Sequence, residues 1–252
     1  MLGAAWLGVE ATAALFLPIT VIAAQELNRL QWSKGSGLSP FGSAMLAAIA
    51  YGALVSVHFV SGPYILWAIS AVLFILLALV VSMLRANSPE PTIRIGHLFT
   101  VIIYIAAPMA CAPWMVSLDP MLFISFMLLL WTNDTGAYIV GKAIGRSKLL
   151  PKVSPGKTWE GLMGGILLTA LVAWALSTYV MFGPVKEWII VAVVVSITAT
   201  VGDLLESAMK RAAGVKDSGT LMPGHGGALD RFDGYLLAAP AMLLVVHLLM
   251  AS

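Results

Sequence analysis

Charge is what this chain has least of. It has 14 Lys and Arg and 12 Asp and Glu in 252 residues, or 10%, where a soluble domain carries about 25%. With 60% hydrophobic residues, that scarcity excludes an ordinary soluble domain and marks an integral membrane protein. A net charge of +2 is too small for a nucleic-acid binder, and no nucleic acid is expected as a partner. The single cysteine, Cys111, excludes an intramolecular disulfide, and inside an apolar run it reads as a small buried hydrophobe. A basic start is also missing. The first apolar run outlasts a signal sequence, so it reads as a span and not as a cleaved leader. No soluble domain, low-complexity segment or internal repeat is visible.

What is abundant is long apolar sequence. Runs at 2–27, 43–60, 64–84, 97–117, 119–140, 161–182, 186–206 and 234–251 approach or reach the roughly 17–25 residues that cross a bilayer. Backbone polar groups in lipid must be satisfied within the segment, so these runs read as helices and not strands. No ten-residue alternation supports a barrel. The expected fold is all-α and polytopic, with about eight transmembrane helices in one integral membrane domain over 1–252. Residues 1–118 would be scaffold, and 119–252 would carry the functional motifs.

Eight spans place the loops alternately on two sides. Arg29, Lys34, Arg85, Arg94, Lys142, Arg146, Lys148, Lys152, Lys157, Lys210, Arg211, Lys216 and Arg231 fall on one side, and only Lys186 on the other. By the positive-inside rule the thirteen face the cytoplasm. Both termini then face away from it, and a bacterial inner membrane is the expected location.

The few charges are concentrated. Nine lie between Asp203 and Asp233, and a second group lies between Asp134 and Glu160. Ionisable groups at the edge of hydrocarbon are by default a functional-site hypothesis. Asp230 and Asp233 share an i, i+3 spacing that puts both on one helix face, and Asp203 and Glu206 repeat it. Hard cations such as Mg²⁺ take carboxylate, phosphate and water oxygens. Salt bridging to Lys210, Arg211 or Arg231 explains the same pairs equally well. Between the pairs, Pro223-Gly224-His225-Gly226-Gly227 allows close backbone approach to a ligand, and successive N–H groups in such a turn can cradle an anion. Lys210, Arg211 and Lys216 could neutralise phosphates beside it, and His225 could contact phosphate or orient a carboxylate.

In the upstream group, Ser154-Pro155-Gly156-Lys157-Thr158 lacks the leading glycine of a phosphate loop, and no strand is expected before it. These residues could still bind phosphate before a helix. Alternatively, Ser154 caps that helix and the basic residues hold topology. Gly141/Gly145 and Gly161/Gly165 have the spacing of close helix packing. Glu26 reads as interfacial and Glu10 has no evident partner.

Three stretches together resemble the phosphatidate cytidylyltransferase family: Asp134-Thr-Gly-Ala-Tyr138 with Gly141 and Gly145; Ser154-Pro-Gly-Lys-Thr-Trp-Glu-Gly161; and Gly202-Asp203 with Glu206-Ser207, running on through Lys210-Arg211, Lys216-Asp217, His225-Gly226-Gly227 and Asp230-Arg231-x-Asp233. In the N-terminal half the likeness is confined to hydropathy and Ala24-Gln-Glu-Leu27. Members of that family often carry one more N-terminal helix. The resemblance implies transfer of CMP from CTP to phosphatidic acid, giving CDP-diacylglycerol and pyrophosphate. It implies Mg²⁺, with a second cation as an option, at Asp203, Asp230 and Asp233, and secondarily at Glu206. Lys210, Arg211, Lys216, His225 and Arg231 would meet phosphates. Asp134, Ser154, Lys157, Thr158, Asp217, Gly226 and Gly227 would shape the substrate site. Acyl chains would stay in the bilayer, and a homodimer is implied as well.

Two rivals remain. One is a CTP-dependent transferase acting on another lipid, such as an ether-lipid phosphate or a polyprenol. The other is an ion-coupled transporter, although transporters place their acids near the midplane on broken helices. A CDP-alcohol phosphotransferase is disfavoured because its DGxxAR pattern is absent.

Overall fold

The computed structural model describes residues 1–32, 39–59, 77, 91–180, 183–219 and 226–250. The predicted run at 64–84 lies, but for residue 77, outside the described residues, as do the loop residues 220–225 with His225.

The chain is a helical bundle. In order come α1 (Leu2–Leu7), α2 (Val9–Trp32), α3 (Pro40–Phe59), α4 (Pro91–Thr100), a π-helical segment (Val101–Ala106), α5 (Ala107–Leu118), α6 (Pro120–Ile144), a hairpin of β1 (Lys148–Leu150) and β2 (Ser154–Thr158), α7 (Trp159–Leu176), α8 (Val185–Ala212) and α9 (Leu229–Met250). Six helices among the described residues are long and apolar enough to cross a membrane: Val9–Leu30, Ile95–Leu118, Pro120–Ile144, Trp159–Leu176, Val185–Ala212 and Leu229–Leu249. Pro40–Ser56 is a shorter apolar helix.

Local chemistry explains the breaks. The first run divides at Gly8, whose φ of 111° only glycine adopts readily. Between α5 and α6 the extended Asp119 accepts a hydrogen bond from the Met121 N–H at 2.8 Å, with Pro120 opening the helix. The hairpin departs from the expected all-helical reading. Ser154–Thr158 is itself a strand, antiparallel to β1, with Lys148 opposite Thr158 and Leu150 opposite Ser154. Glu160 secures the hairpin by accepting from the Arg146 and Ser147 N–H groups at 3.1 Å. Ser154 therefore does not cap α7. That role falls to Thr158, whose hydroxyl accepts from the Gly161 N–H at 3.1 Å.

Aromatic side chains join α2, α6 and α9. Phe16 meets Phe123 and Phe232 edge-on with centroids 5.9 Å apart, and Tyr235 lies 5.5 Å from Phe126 and 5.4 Å from Phe232. Phe232 and Tyr235 bracket Asp233, so the core that anchors α9 also fixes where that carboxylate emerges.

Small residues set the other helix spacings. A Cβ at Gly161 would stand 2.8 Å from the Ala137 carbonyl oxygen, and one at Gly165 would stand 2.7 Å from Asn133 Oδ1. The glycine-spaced faces of α6 and α7 are thus in backbone contact, as their spacing predicts. Gly165→Val is expected to cost about 1–3 kcal/mol by overpacking, read as a lowered thermal midpoint in detergent. A similar approach occurs where α8 crosses α9: a Cβ at Gly202 would stand 2.5 Å from the Asp233 carbonyl oxygen and 3.3 Å from Gly234 Cα. This crossing brings Asp203 beside Asp233.

Candidate active site

Polar residues from five helices meet at one end of the bundle. The C-terminal parts of α2, α6 and α8 lie there with the N-terminal parts of α7 and α9, as antiparallel threading requires. Two connected groups result.

The first is a cleft of about 540 Å³ between α6, the hairpin, α7 and α8. Asp134, Lys157, Thr158 and Asp203 all line it, so three of the four residues predicted upstream converge with one from the downstream motif. Ser154, at the far end of β2, is not among the lining residues. Lys157 Nζ lies 2.5 Å from Asp203 Oδ2, and both side chains are partly exposed. The Ser207 hydroxyl donates to Asp203 Oδ1 at 3.2 Å from one turn on. Asp233 lies within electrostatic range of Asp203, Asp134 and Lys157. Three carboxylates therefore surround one ammonium. Lys142, whose Nζ sits 5.6 Å from the Tyr138 ring centroid, and Lys148 add positive charge to the wall.

The second group is more enclosed, with Glu206 buried and Lys210 and Asp230 partly buried. Lys210 Nζ lies 2.5 Å from Glu206 Oε2 and 2.7 Å from Asp230 Oδ1. Asp230 Oδ2 accepts three more hydrogen bonds, from the Ser218 N–H and hydroxyl at 2.9 Å each and from the Gly227 N–H at 2.7 Å. At the described end of the glycine-rich segment, the Gly227 N–H serves the chain's own Asp230. Gly226 takes the positive φ of 80° that this turn requires. Glu206 is completely buried, and its Oε1 has no hydrogen-bond partner among the described residues.

These contacts change several expectations. Asp230 and Asp233 do not precede the last helix; they lie in its first turns, because α9 begins at Leu229. Lys210 is a partly buried counter-ion of Glu206 and Asp230. Arg211 is exposed and reaches the carbonyls of Val153 and Val215 at 3.4 and 3.3 Å, tying the end of α8 to the hairpin turn. Lys216, Asp217 and Arg231 are exposed at the same end.

Three contributors carry no clear signal in the sequence. Glu26 reads as interfacial, yet it is 3% exposed and accepts from the Ala228 and Leu229 N–H groups at 3.1 and 2.8 Å. Only its place in the Ala24–Leu27 stretch hints at this. Tyr104, on the π-helical segment, lies within electrostatic range of Glu206, Asp233 and Asp203; π-bulges often mark functional sites, but they leave no sequence signal. Asn133 lines the cleft with its Oδ1 buried and unpartnered among the described residues.

The donor chemistry of the carboxylates decides how far they suit a metal centre. Among the described residues no three His, Cys, Asp or Glu side chains are grouped closely enough to hold a metal ion. Asp230 is the most heavily engaged, its oxygens meeting Lys210, Ser218 and Gly227, while Asp203 meets Lys157 and Ser207 and Asp233 meets the Gly234 N–H. Asp203 lines the cleft and Asp233 lies within electrostatic range of it, a pair of hard oxygen donors with fewer partners. This fits Mg²⁺, which commonly binds one or two carboxylates and completes its shell with substrate phosphates and water.

A phosphatidate cytidylyltransferase of Staphylococcus aureus (strain COL) is 44% identical over 121 residues. Proteins of the same name from Staphylococcus saprophyticus and Staphylococcus epidermidis are 42% and 45% identical over 121 residues. Each alignment covers 47% of this chain and 46% of the relative, so the match spans about half the length of these curated relatives. A broader match, to the cytidylyltransferase family, runs over residues 1–249. The chain belongs to the cytidylyltransferase family.

Proposed function

We propose that this protein transfers CMP from CTP to phosphatidic acid, releasing pyrophosphate and leaving CDP-diacylglycerol in the membrane. The observation that carries this reading is the cleft at the end of an apolar bundle: Lys142, Lys148 and Lys157 line it with Asp134 and Asp203, and Asp233 lies within electrostatic range. Cations suit a triphosphate, carboxylates suit a divalent metal, and the surrounding helices suit a lipid acceptor. Family membership and the names of the relatives support the same choice of substrates.

In the reaction a lipid phosphate oxygen attacks the CTP α-phosphorus. The new P–O bond forms as the α–β anhydride bond breaks, and its electron pair leaves with pyrophosphate. No residue need become a nucleophile, so positioning and charge neutralisation do the catalysis. Lys157 would hold phosphate oxygens at the mouth of the carboxylate group, with Lys142 and Lys148 drawing the triphosphate in. Asp203 and Asp233 would hold Mg²⁺, which when bound neutralises charge on the reacting phosphates. Asp134 would shape the wall opposite Lys157. Lys210, fixed between Glu206 and Asp230, would set the local field next to Asp233. Because the basic loops favour the cytoplasmic side, the cleft would open to the compartment that holds CTP.

The test is pyrophosphate release by purified protein in lipid-supplemented detergent, with CTP and phosphatidic acid, with and without Mg²⁺. Release that needs all three, with CDP-diacylglycerol recovered, is expected. Release with an ether-lipid phosphate or a polyprenol but not with phosphatidic acid would replace the acceptor named here. Substrate uptake by liposomes without pyrophosphate release would overturn the enzyme reading.

A further inference from the structure

Glu26 sits on α2, some 200 residues before the segment it contacts. The first turn of α9 needs acceptors for its free N–H groups, and the residue at its N-cap, Ala228, has no side chain to supply one. Glu26 does so from across the molecule: Oε1 accepts from the Ala228 N–H and Oε2 from the Leu229 N–H. The Ser218 hydroxyl lies 3.3 Å from Glu26 Oε2 and 2.9 Å from Asp230 Oδ2. One hydroxyl therefore links Glu26 to the carboxylate that holds Lys210. Gly219 and Gly227 leave the space that this carboxylate fills. A Cβ at either Gly219 or Gly227 would stand 2.6 Å from Glu26 Cδ, so any larger residue at those positions would collide with the carboxylate.

Helix stabilisation alone would not require this arrangement. A serine or aspartate at position 228 would cap α9 locally without burying a distant carboxylate, and burial of an ionised group carries a desolvation cost. What the distant acceptor adds is a tie between the α2 core and both flanks of the loop.

We propose that Glu26 is a positioning residue for the cytidylyl transfer. Held between Gly219 and Gly227, it fixes the start of α9 so that Asp230 retains Lys210 and Asp233 stays beside Asp203. The proposal rests on the reaction assigned above. Its charge-assisted hydrogen bonds are about twice as strong as neutral ones, so Glu26→Gln weakens the tie while keeping the shape.

The experiment compares wild type, E26Q and the double variant E26Q/A228S. It reads kcat and KM for CTP, thermal midpoint, and hydrogen exchange at the amides of Ala228 and Leu229. E26Q is expected to lower kcat about tenfold or more, with a smaller change in KM, and to speed exchange at both amides by a similar factor. Adding A228S supplies a local cap and is expected to recover the thermal midpoint while kcat stays low. Recovery of kcat together with stability would reduce Glu26 to a helix cap and overturn the proposal, as would wild-type kcat in E26Q itself. If wild-type protein turns over no CTP with phosphatidic acid, the assigned reaction fails by itself. The exchange measurement then decides separately: protection lost in E26Q supports Glu26 as the residue that orders this loop, and protection retained overturns it.

Discussion

Asp233→Asn is expected to lower kcat by about 10²–10³-fold, the range seen when a charge-stabilising group is removed from a reacting centre, while the protein remains folded. The substitution is nearly isosteric. The introduced amide would keep an oxygen to accept the 2.6 Å bond from the Gly234 N–H, and the aromatic contacts of Phe232 and Tyr235 would be undisturbed. What disappears is one negative charge among Asp203, Asp134 and Lys157. Like charges held together cost stability, so neutralising one should leave the thermal midpoint unchanged or raise it. Strain of this kind kept at a functional site is a familiar exchange of stability for activity. Turnover of CTP and the thermal midpoint, measured on one preparation, check both halves. Normal kcat in Asp233→Asn would remove this carboxylate from the mechanism. Loss of activity with a collapsed midpoint would point to misfolding instead.

Lys210→Met should act in the opposite way, on the fold first. Lys210 is flanked by Glu206, whose side chain is fully buried, and by Asp230, whose side chain is 13% exposed. Removing the shared cation leaves the fully buried Glu206 without its partner, which costs about 3–5 kcal/mol. Asp230 suffers less, because Ser218 and Gly227 still donate to it. Adding Glu206→Gln to Lys210→Met should therefore restore most of the stability, since no ionised group is then stranded at 206. Activity should stay low in the double variant, because the field beside Asp233 has changed. A thermal-midpoint cycle over the wild type, the two single variants and the double variant reads the coupling. Additive effects in that cycle would show that the pair does not interact in solution as its 2.5 Å separation requires.

Much of this is legible in the sequence, for identifiable reasons. Membrane insertion follows from composition, because about twenty apolar residues in a row have few other stable environments. The helix-packing role of Gly161 and Gly165 follows from spacing, because a four-residue repeat keeps one face of a helix narrow. The convergence of Asp134, Lys157 and Asp203 follows from topology, since alternating spans return every second loop to the same side.

The misreadings share a cause. The hairpin at Lys148–Thr158 is too short to show a strand period, and it is held in place by Glu160, which in the sequence is only the last of the upstream charged group. Lys210 and Asp230 are equally good as substrate ligands or as partners of each other; only their 2.7 Å approach assigns them to each other. Glu26 looks peripheral in the sequence because its neighbours there are apolar and its partners lie about 200 positions away.

The sequence by itself determined that this chain is a polytopic helical membrane protein, with its charges gathered toward one surface and its glycines placed for close packing. These are consequences of local composition and of the bilayer's fixed thickness. Only the tertiary structure decided which carboxylates face the cleft and which are consumed in holding the chain together. That choice depends on helix crossings such as Gly202 against Asp233, which set the backbone position from which each carboxylate emerges.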